Sequence, residues 1–142
     1  SIVIISSVSG VEVDMAAGPY GAFKAALIHY AKTLACELAS KNIRVNSVSP
    51  GTTYFAGGIW ETIENDIPDL FSQALSMNKT GRMATAEEVA NASVFLASPM
   101  APVVTGPNLV VDGALTNRVQ FYNGLRIHTS RSGDEWLEKH NN

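Results

Sequence analysis

The most constraining feature of this sequence is a run of four consecutive β-branched residues, Ile2–Ile5, near its start. Successive side chains of a strand point to opposite faces, so an unbroken apolar run indicates a strand that is covered on both faces. Such strands belong to parallel sheets, whose crossover connections are usually helices. We therefore predict an α/β fold built on an open, doubly wound parallel sheet.

The next segments alternate between helix and strand patterns. Residues 18 to 40 have apolar side chains at intervals of three and four, which predicts a helix. These side chains are Phe23, Leu27, Tyr30, Leu34 and Leu38. A short strand is predicted at about Arg44 to Val48, and Pro50-Gly51 ends it because proline lacks the amide hydrogen that a strand needs.

The remainder of the fold follows the same order. One or two short helices are expected between Ile59 and Met77, with a break near Pro68. Thr85 and Glu88 have the Thr-x-x-Glu spacing of a capping box, which predicts that a helix begins there. The segment 108–111 has the composition of a last buried strand.

Composition excludes several classes of function. Apolar residues make up 46% of the chain and charged residues 16%, which is typical of a globular domain. The net charge of −3 argues against a nucleic-acid surface and a polybasic membrane anchor. No apolar run reaches transmembrane length. The lone cysteine, Cys36, cannot form an internal disulfide, which fits a reducing compartment and leads us to expect a cytoplasmic protein.

Chemistry-bearing residues are expected at one edge of the sheet. Ser6 and Ser7 follow the first strand directly, and Pro50-Gly51 follows the second. Ligands of open parallel sheets bind beyond the carboxyl ends of the strands. Tyr20 and Lys24 lie near the start of the helix that joins these strands, so we expect all of these groups to meet.

Tyr20 and Lys24 lie four residues apart and are therefore neighbours on a helix surface. At about 5 Å and an effective dielectric constant near 20, an ammonium group favours a phenolate by roughly 3 kcal/mol. This makes a phenol a usable acid and base near neutral pH. The small residues Gly21 and Ala22 would leave room for a flat ligand. The structural alternative is a tyrosine at the edge of the core and a solvated lysine, since the spacing alone is common.

Several segments in order resemble the short-chain dehydrogenase/reductase family. They are "IVIISS", "YGAFKAAL", "IRVNSVSPG", "GRMATAEEVANASVFLAS" and "TGPNLVVDGA". The resemblance covers residues 1 to about 119 and implies a Rossmann-like doubly wound sheet, of which this chain has only the carboxyl-terminal part. Residues 1–119 would be the catalytic half of the domain, and residues 120–142 a polar carboxyl-terminal tail.

The resemblance implies a catalytic role for three residues. Tyr20 would give and take the proton of the substrate oxygen, and Lys24 would assist it and bind the nicotinamide ribose. Ser7 would orient the substrate oxygen, since it precedes Tyr20 by the thirteen positions typical of the family. Ser6 is the rival serine and is expected to be structural.

The resemblance also implies a cofactor and partners. NAD or NADP would bind beside Tyr20, Lys24, Pro50 and Gly51, with the backbone amide of Thr53 holding the carboxamide. The substrate would be a small alcohol or ketone, and a homo-oligomer is expected. No metal site is predicted, because His29, His128 and His140 are too dispersed.

Two departures from the family pattern stand out. The chain contains no Gly-x-Gly-x-x-Gly, the turn that holds the pyrophosphate. The family often has a threonine four places after the glycine of Pro50-Gly51, where this chain has Phe55, so a cofactor contact would be lost or moved to Thr52 or Thr53. The alternative function is therefore a truncated, non-catalytic chain that lacks the dinucleotide site and acts only by association.

Other residues have simpler interpretations. The segment between Trp60 and Met77 is expected to fold over the substrate as a lid, as the same region does in the family. Cys36 is expected in the core, and Asp112 is expected to form a turn rather than act in catalysis. His29 is expected to be a packing or dimer-face residue.

Without a glycine-rich turn, we predict that the purified chain binds NADH and NADPH only weakly, because nothing in it would hold the pyrophosphate. Nicotinamide fluorescence, titrated against the folded chain, measures this binding. A micromolar dissociation constant with the emission shift of a buried nicotinamide would contradict the prediction.

Overall fold

A computed structural model describes residues 1–14 and 18–116 of the chain. In chain order, its strands and helices are β1 (Ile2–Ile5), α1 (Pro19–Leu38), β2 (Val45–Pro50), β3 (Thr53–Tyr54), α2 (Ile59–Asp66), α3 (Pro68–Met77), β4 (Ala84–Thr85), α4 (Ala86–Ala97) and β5 (Asn108–Val111). Two short 3-10 turns, Val8–Gly10 and Ala39–Lys41, flank α1.

The described strands form two parallel sheets. The larger has the order β1-β2-β5, with Ile2 opposite Val45 and Ser47 opposite Asn108. The smaller pairs β3 with β4. Each neighbouring pair of the larger sheet is joined by a crossover that contains a helix. The predicted α/β fold with a parallel sheet is confirmed, and so are the bounds of the last strand and the helix break at Pro68.

The most deeply buried strand is β2, not the apolar β1. All residues of β2 from Val45 to Ser49 are buried, whereas Ile2 and Ile5 at the two ends of β1 are 39% and 46% exposed. The prediction that the β1 run is covered on both faces is therefore wrong for its ends among the described residues. The physical reason is position, since β2 has strands on both sides and β1 pairs only with β2 in the described part.

Most buried polar groups of β2 form hydrogen bonds to neighbouring segments, whereas Asn46 Oδ1 is buried without a partner among the described residues. The hydroxyls of Ser47 and Ser49 both donate to Asn108 Oδ1 on β5, at 3.0 and 2.8 Å. Asn46 Nδ2 donates to the Val104 carbonyl oxygen at 2.9 Å. These bonds compensate for the loss of water and hold β2 and β5 together.

The predicted helix is confirmed as α1, and it packs on the sheet through small residues. Ala31 and Ala35 are 0% and 4% exposed and pack with Val45. Leu34 and Leu38 lie at the edge of this cluster, and Phe23 and Tyr30 are 72% and 54% exposed. Alanine side chains allow the helix axis to approach the sheet, which leaves the larger residues at the flanks.

The predicted core position of Cys36 is also wrong. This side chain is exposed on α1, although its neighbour Ala35 is buried. Adjacent residues of a helix point in directions about 100° apart, so small size next to a core position does not imply burial.

The first turn of α1 is packed closely against the 3-10 turn Val8–Gly10. A Cβ atom at Gly10 would lie 2.6 Å from the backbone carbonyl carbon of Lys24, and one at Gly21 would lie 2.6 Å from the carbonyl oxygen of Ser9. Both distances are too short for any side chain, so glycine is required on each side of this contact. Gly21 therefore serves this packing, and the expectation that it leaves room for a ligand is wrong.

Arg44 binds the carboxyl end of α4. Its guanidinium donates to the carbonyl oxygens of Leu96 at 2.6 Å, Ala97 at 3.2 Å and Ser98 at 2.9 Å, and to that of Val104 at 3.3 Å. The last carbonyls of a helix have no partner within the helix, and the negative end of the helix dipole favours a cation there. Arg44 thus anchors α4 to the start of β2.

The amino end of α4 has the predicted capping box. Thr85 accepts a hydrogen bond from the Glu88 amide at 3.3 Å, and Glu88 Oε2 accepts one from the Thr85 amide at 2.9 Å. Arg82 adds two bonds to the same carboxylate, at 2.6 and 2.8 Å. These bonds from Arg82 and the Thr85 amide lower the pKa of Glu88 to about 2.

We predict that Arg44→Ala lowers the free energy of unfolding by about 2 kcal/mol, because the carbonyl groups at the end of α4 lose a charged donor. Arg44→Lys should recover less than half of this, since an ammonium cannot reproduce the planar fork of donors. Urea denaturation measures both variants, with Lys32→Ala on exposed α1 surface as the control. Equal stability of Arg44→Ala and the control would contradict this assignment.

The ion pair of Glu88 predicts a pH dependence of stability. The folded pKa of about 2 lies below the ordinary 4.5, so its contribution is complete above pH 4.5 and is lost as pH falls through about 2. Glu88→Gln should therefore have a lower melting temperature than the parent at pH 7, with a difference that narrows between pH 4.5 and 2. The effect is small because both partners reach solvent. Melting curves of Glu88→Gln, with the neighbouring Glu87→Gln as the control, test this prediction. A difference in melting temperature between Glu88→Gln and the parent that does not change with pH would refute it.

Candidate active site

An open cleft of about 330 Å³ lies at the carboxyl ends of β1 and β2. Its walls come from the end of β1, the first turns of α1, the end of β2, the following strand β3 and the start of α4. The lining residues are Ile5, Ser6, Ser7, Tyr20, Lys24, Pro50, Gly51, Thr53, Ala86 and Val89. The structure thus brings all the predicted catalytic and cofactor-binding residues into one cleft, although they extend from Ser7 to Thr53 in the sequence.

Tyr20 and Lys24 lie side by side on α1 at the mouth of this cleft. Lys24 Nζ is 5.4 Å from the centroid of the Tyr20 ring, within the range of a cation–π contact. The same ammonium donates to the Ile5 carbonyl oxygen at 3.2 Å. Lys24 is therefore anchored to the end of β1, while the Tyr20 side chain is 47% exposed and accessible to a ligand.

The two serines after β1 have different surroundings. Ser6 is 3% exposed, and its hydroxyl donates to the backbone carbonyl oxygen of Lys24 at 2.7 Å. This bond ties β1 to α1, which agrees with the structural role expected of Ser6. Ser7 is half-buried at the cleft wall, and its Oγ accepts a hydrogen bond from the Ser9 amide at 3.2 Å. Ser7 is thereby the amino-terminal cap of the 3-10 turn Val8–Gly10.

The wall after β2 depends on a close approach of two backbones. The Gly51 amide donates to the Val111 carbonyl oxygen at 2.9 Å, and a Cβ atom at Gly51 would lie 2.7 Å from Asp112 Cβ. A larger residue would push the end of β2 away from β5 and change this side of the cleft. Thr53 Oγ1 donates back to the Gly51 carbonyl oxygen at 3.1 Å and so narrows the turn.

Asp112 forms the turn that Gly51 packs against. Its carboxylate is buried and accepts bonds from the Ala114 amide at 3.0 Å, the Thr116 amide at 2.8 Å and the Thr116 hydroxyl at 2.6 Å. Asp112 does not line the cleft. The expectation that it forms a turn is confirmed.

Ala86 and Val89 of α4 are lining residues that the sequence interpretation missed. The capping box located the start of α4 along the chain, but nothing local indicates where that start lies in space. The parallel pairing of Thr53 with Ala84 brings it to the cleft. Apolar groups at this wall favour an uncharged part of a ligand.

Phe55 occupies the position where the family often has a threonine, and the two threonines just before it, Thr52 and Thr53, have different surroundings. Thr52 donates its hydroxyl to Asn78 Oδ1 at 2.8 Å, whereas Thr53 lines the cleft. Phe55 is 49% exposed, and its ring lies 3.0 Å from the position of a Cβ atom at Gly58. If the cofactor contact expected at position 55 moves to one of these two threonines, Thr53 is therefore the better placed.

The segment expected to act as a lid forms α2 and α3, attached through Tyr54. The hydroxyl of Tyr54 donates to Glu64 Oε2 at 2.6 Å, and this bond raises the pKa of Tyr54 to about 12. The Tyr54 ring also meets Phe71 edge to face at 6.1 Å. None of the described residues of α2 or α3 lines the cleft, so the role of this segment as a lid stays a prediction.

Other expected features fall outside this cleft. His29 is exposed on α1. Among residues 1–14 and 18–116, no group of three metal-ligating side chains could hold an ion. No helix in the same ranges is long and apolar enough to cross a membrane. The polar tail at 120–142 lies outside the described residues.

The donor groups of the cleft fit one end of a nicotinamide dinucleotide. The ammonium of Lys24 uses one of its three donors on Ile5, which leaves donors for ribose hydroxyl groups. The phenol of Tyr20 is exposed beside it, and the turn after Pro50 offers backbone groups at the opposite wall. This arrangement accommodates the nicotinamide and its ribose, while the described residues include no glycine-rich turn for the pyrophosphate.

Comparisons with known proteins give one consistent family. A family model described as enoyl-(acyl carrier protein) reductase matches residues 1–116. Isoepoxydon dehydrogenase patN of Aspergillus clavatus is 38% identical over 122 residues, which are 85% of this chain and 47% of that protein.

Two solved structures have the same fold. A short-chain dehydrogenase/reductase family oxidoreductase from Burkholderia thailandensis is 39% identical with a TM-score of 0.75, over 82% of this chain and 45% of that one. The structure of ElxO with NADP bound is 30% identical with a TM-score of 0.71, over 82% and 46%. This chain thus spans about half the length of the relatives it matches. On the strength of these matches and of its fold, the chain belongs to the short-chain dehydrogenase/reductase family.

Proposed function

We propose that this chain carries the proton-transfer machinery of an NAD(P)-dependent oxidoreductase that interconverts a small alcohol and a ketone. The observation that carries the proposal is the shared cleft, where Ser7, Tyr20 and Lys24 face the wall formed by Pro50, Gly51 and Thr53. Because the chain spans about half of its relatives, the proposal concerns the whole protein of which these residues form the site.

Tyr20 is the proposed acid and base. Its phenol is exposed to the cleft, and the ammonium of Lys24 lies 5.4 Å from its ring. The bond from Lys24 to the Ile5 carbonyl oxygen holds this ammonium beside the phenol. In ketone reduction Tyr20 would donate its proton to the substrate oxygen, and in alcohol oxidation it would accept one.

Ser7 is the proposed anchor for the substrate oxygen. Its Oγ is held at the cleft wall by the amide of Ser9, at 3.2 Å. A hydroxyl retains its own proton when its oxygen accepts a bond. In the described structure this proton points to Ser9 Oγ at 3.4 Å, a long contact, and with substrate bound Ser7 would donate it to the substrate oxygen instead and hold that oxygen next to Tyr20.

The cofactor proposed for this site is NAD or NADP, which supplies or accepts the hydride when bound. Lys24 would donate to the ribose hydroxyl groups, Tyr20 would contact the same sugar, and the Thr53 amide would hold the carboxamide beside Pro50 and Gly51. ElxO, a relative that was solved with NADP bound, supports this choice of cofactor class.

Association with a second copy is a further part of the proposal. Phe23 and Tyr30 are large apolar residues that are more than half exposed on α1, which supports a homo-oligomer formed through this helix. The alternative function, a non-catalytic chain that acts only by association, uses the same surface and requires no cofactor. A cytoplasmic location and the absence of nucleic-acid and membrane partners stay predictions.

We predict that Tyr20→Phe in the whole protein lowers kcat by about 10³-fold or more, because the substrate oxygen loses its proton donor and acceptor. Cofactor affinity should remain close to that of the parent, since the ring and Lys24 are retained. Steady-state rates with NADH and NADPH over a panel of ketones, together with fluorescence titration of the cofactor, provide the measurement.

The matched control is Tyr30→Phe, which removes a hydroxyl from an exposed tyrosine of the same helix. It should leave turnover unchanged. Retained turnover in Tyr20→Phe would remove this residue from the mechanism. Absence of turnover and of cofactor binding in the folded parent would favour the non-catalytic alternative.

A further inference from the structure

A short series of hydrogen bonds leads from the cleft to the surface through the loop after β1. Ser7 Oγ accepts from the Ser9 amide at 3.2 Å, and the Ser7 hydroxyl donates to Ser9 Oγ at 3.4 Å, which is long for such a bond. The Ser9 hydroxyl in turn donates to Asp14 Oδ2 at 2.9 Å. Neither Ser9 nor Asp14 lines the cleft, and Ser7 is the cleft residue to which their hydrogen bonds lead.

The direction of these bonds follows from the chemistry of the carboxylate. An ionised Asp14 can only accept, so the single proton of the Ser9 hydroxyl is directed to it. The side-chain oxygen of Ser9 is then left as an acceptor for the Ser7 proton, and because this contact is 3.4 Å long, a substrate oxygen would accept that proton in its place. The bond to Asp14 therefore determines both the rotamer of Ser9 and the polarity of its contact with Ser7.

Ser9 is also held through its backbone. Its carbonyl oxygen packs against Gly21, where a Cβ atom would lie only 2.6 Å away, and Gly10 packs in the same way against Lys24. Residue 9 is thus constrained on one side by α1 and on the other by Asp14. Its amide, which holds Ser7 Oγ, is oriented relative to Tyr20 and Lys24 by these contacts.

We propose that Ser9 and Asp14 are positioning residues for Ser7. Asp14 holds the Ser9 side chain, and residue 9 in turn holds the Ser7 hydroxyl at the cleft wall in one rotamer. This inference rests on the proposed function, because it assigns Ser9 and Asp14 to the serine that would orient the substrate oxygen. No covalent step is involved, and the two residues act only through hydrogen bonds.

The test compares two truncations with two conservative variants in the whole protein. Ser9→Ala and Asp14→Ala each remove the Ser9–Asp14 bond. Ser9→Thr keeps a hydroxyl and Asp14→Asn keeps an acceptor oxygen, so both can retain the bond. Glu12→Ala is the matched control, because it removes an exposed acidic side chain from the same loop.

The first readout is independent of catalysis. Three-bond couplings between the α and β protons of Ser7, measured by NMR on serine-labelled protein, report its χ1 rotamer. We expect one rotamer in the parent, rotamer averaging in both truncations, and a single rotamer again in the two conservative variants. Unchanged couplings in Ser9→Ala and Asp14→Ala would overturn the proposal, and so would equal averaging in Glu12→Ala.

The second readout is kinetic and separates positioning from loss of structure. With a ketone that the parent reduces, both truncations should lower kcat by about fivefold, the size expected for one lost hydrogen bond, and should leave the dissociation constant of the cofactor unchanged. The conservative variants should restore most of this loss. A uniform fall in kcat, cofactor affinity and melting temperature would overturn the proposal in favour of a structural role. If the parent itself has no turnover, the proposed function fails, and the Ser7 couplings alone decide the positioning role.

Discussion

The close contact between the 3-10 turn Val8–Gly10 and the first turns of α1 is the constraint on which the site depends. Gly10 and Gly21 allow the two backbones to approach to a distance that no side chain would permit. The Ser6 hydroxyl and the Lys24 ammonium add bonds between α1 and the end of β1 at 2.7 and 3.2 Å. Because Ser7 lies on one side of this contact and Tyr20 on the other, their relative position is set by backbone packing rather than by flexible side chains.

The opposite wall of the cleft rests on a buried polar strand. β2 is the most covered strand of the described sheet. Its Ser47 hydroxyl donates to Asn108 and its Asn46 amide nitrogen donates to Val104, while Asn46 Oδ1 has no partner among the described residues. At its end Gly51 lies directly against Asp112, whose carboxylate closes the turn after β5. A rigid strand end and a compact turn give the Pro50-Gly51 wall a defined position, which a cofactor site requires.

The accuracy of the sequence interpretation differed between local and long-range features. The capping box at Thr85, the helix break at Pro68 and the strand at 108–111 depend on bonds or steric conflicts between near neighbours, and all three are present as predicted. The apolar spacing of Phe23 and Tyr30 predicted the helix α1 but not its buried face, which is formed by Ala31 and Ala35. Ala86 and Val89 could not be assigned to the cleft, since their place depends on the pairing of β3 with β4.

The sequence by itself determined the order of strands and helices and the parallel sheet, which follow from periodicity and turn chemistry that act over a few residues. The spacing of Tyr20 and Lys24 indicated two neighbouring side chains on one helix face, and their part in proton transfer rests on the family resemblance and stays a proposal. Only the tertiary structure decided which strand is buried and which face of α1 packs on the sheet. It also decided that Asp14 binds the Ser9 hydroxyl, which in turn contacts Ser7. Those outcomes depend on contacts between segments that are distant in sequence or on loop geometry, where the free energy of packing outweighs local preference.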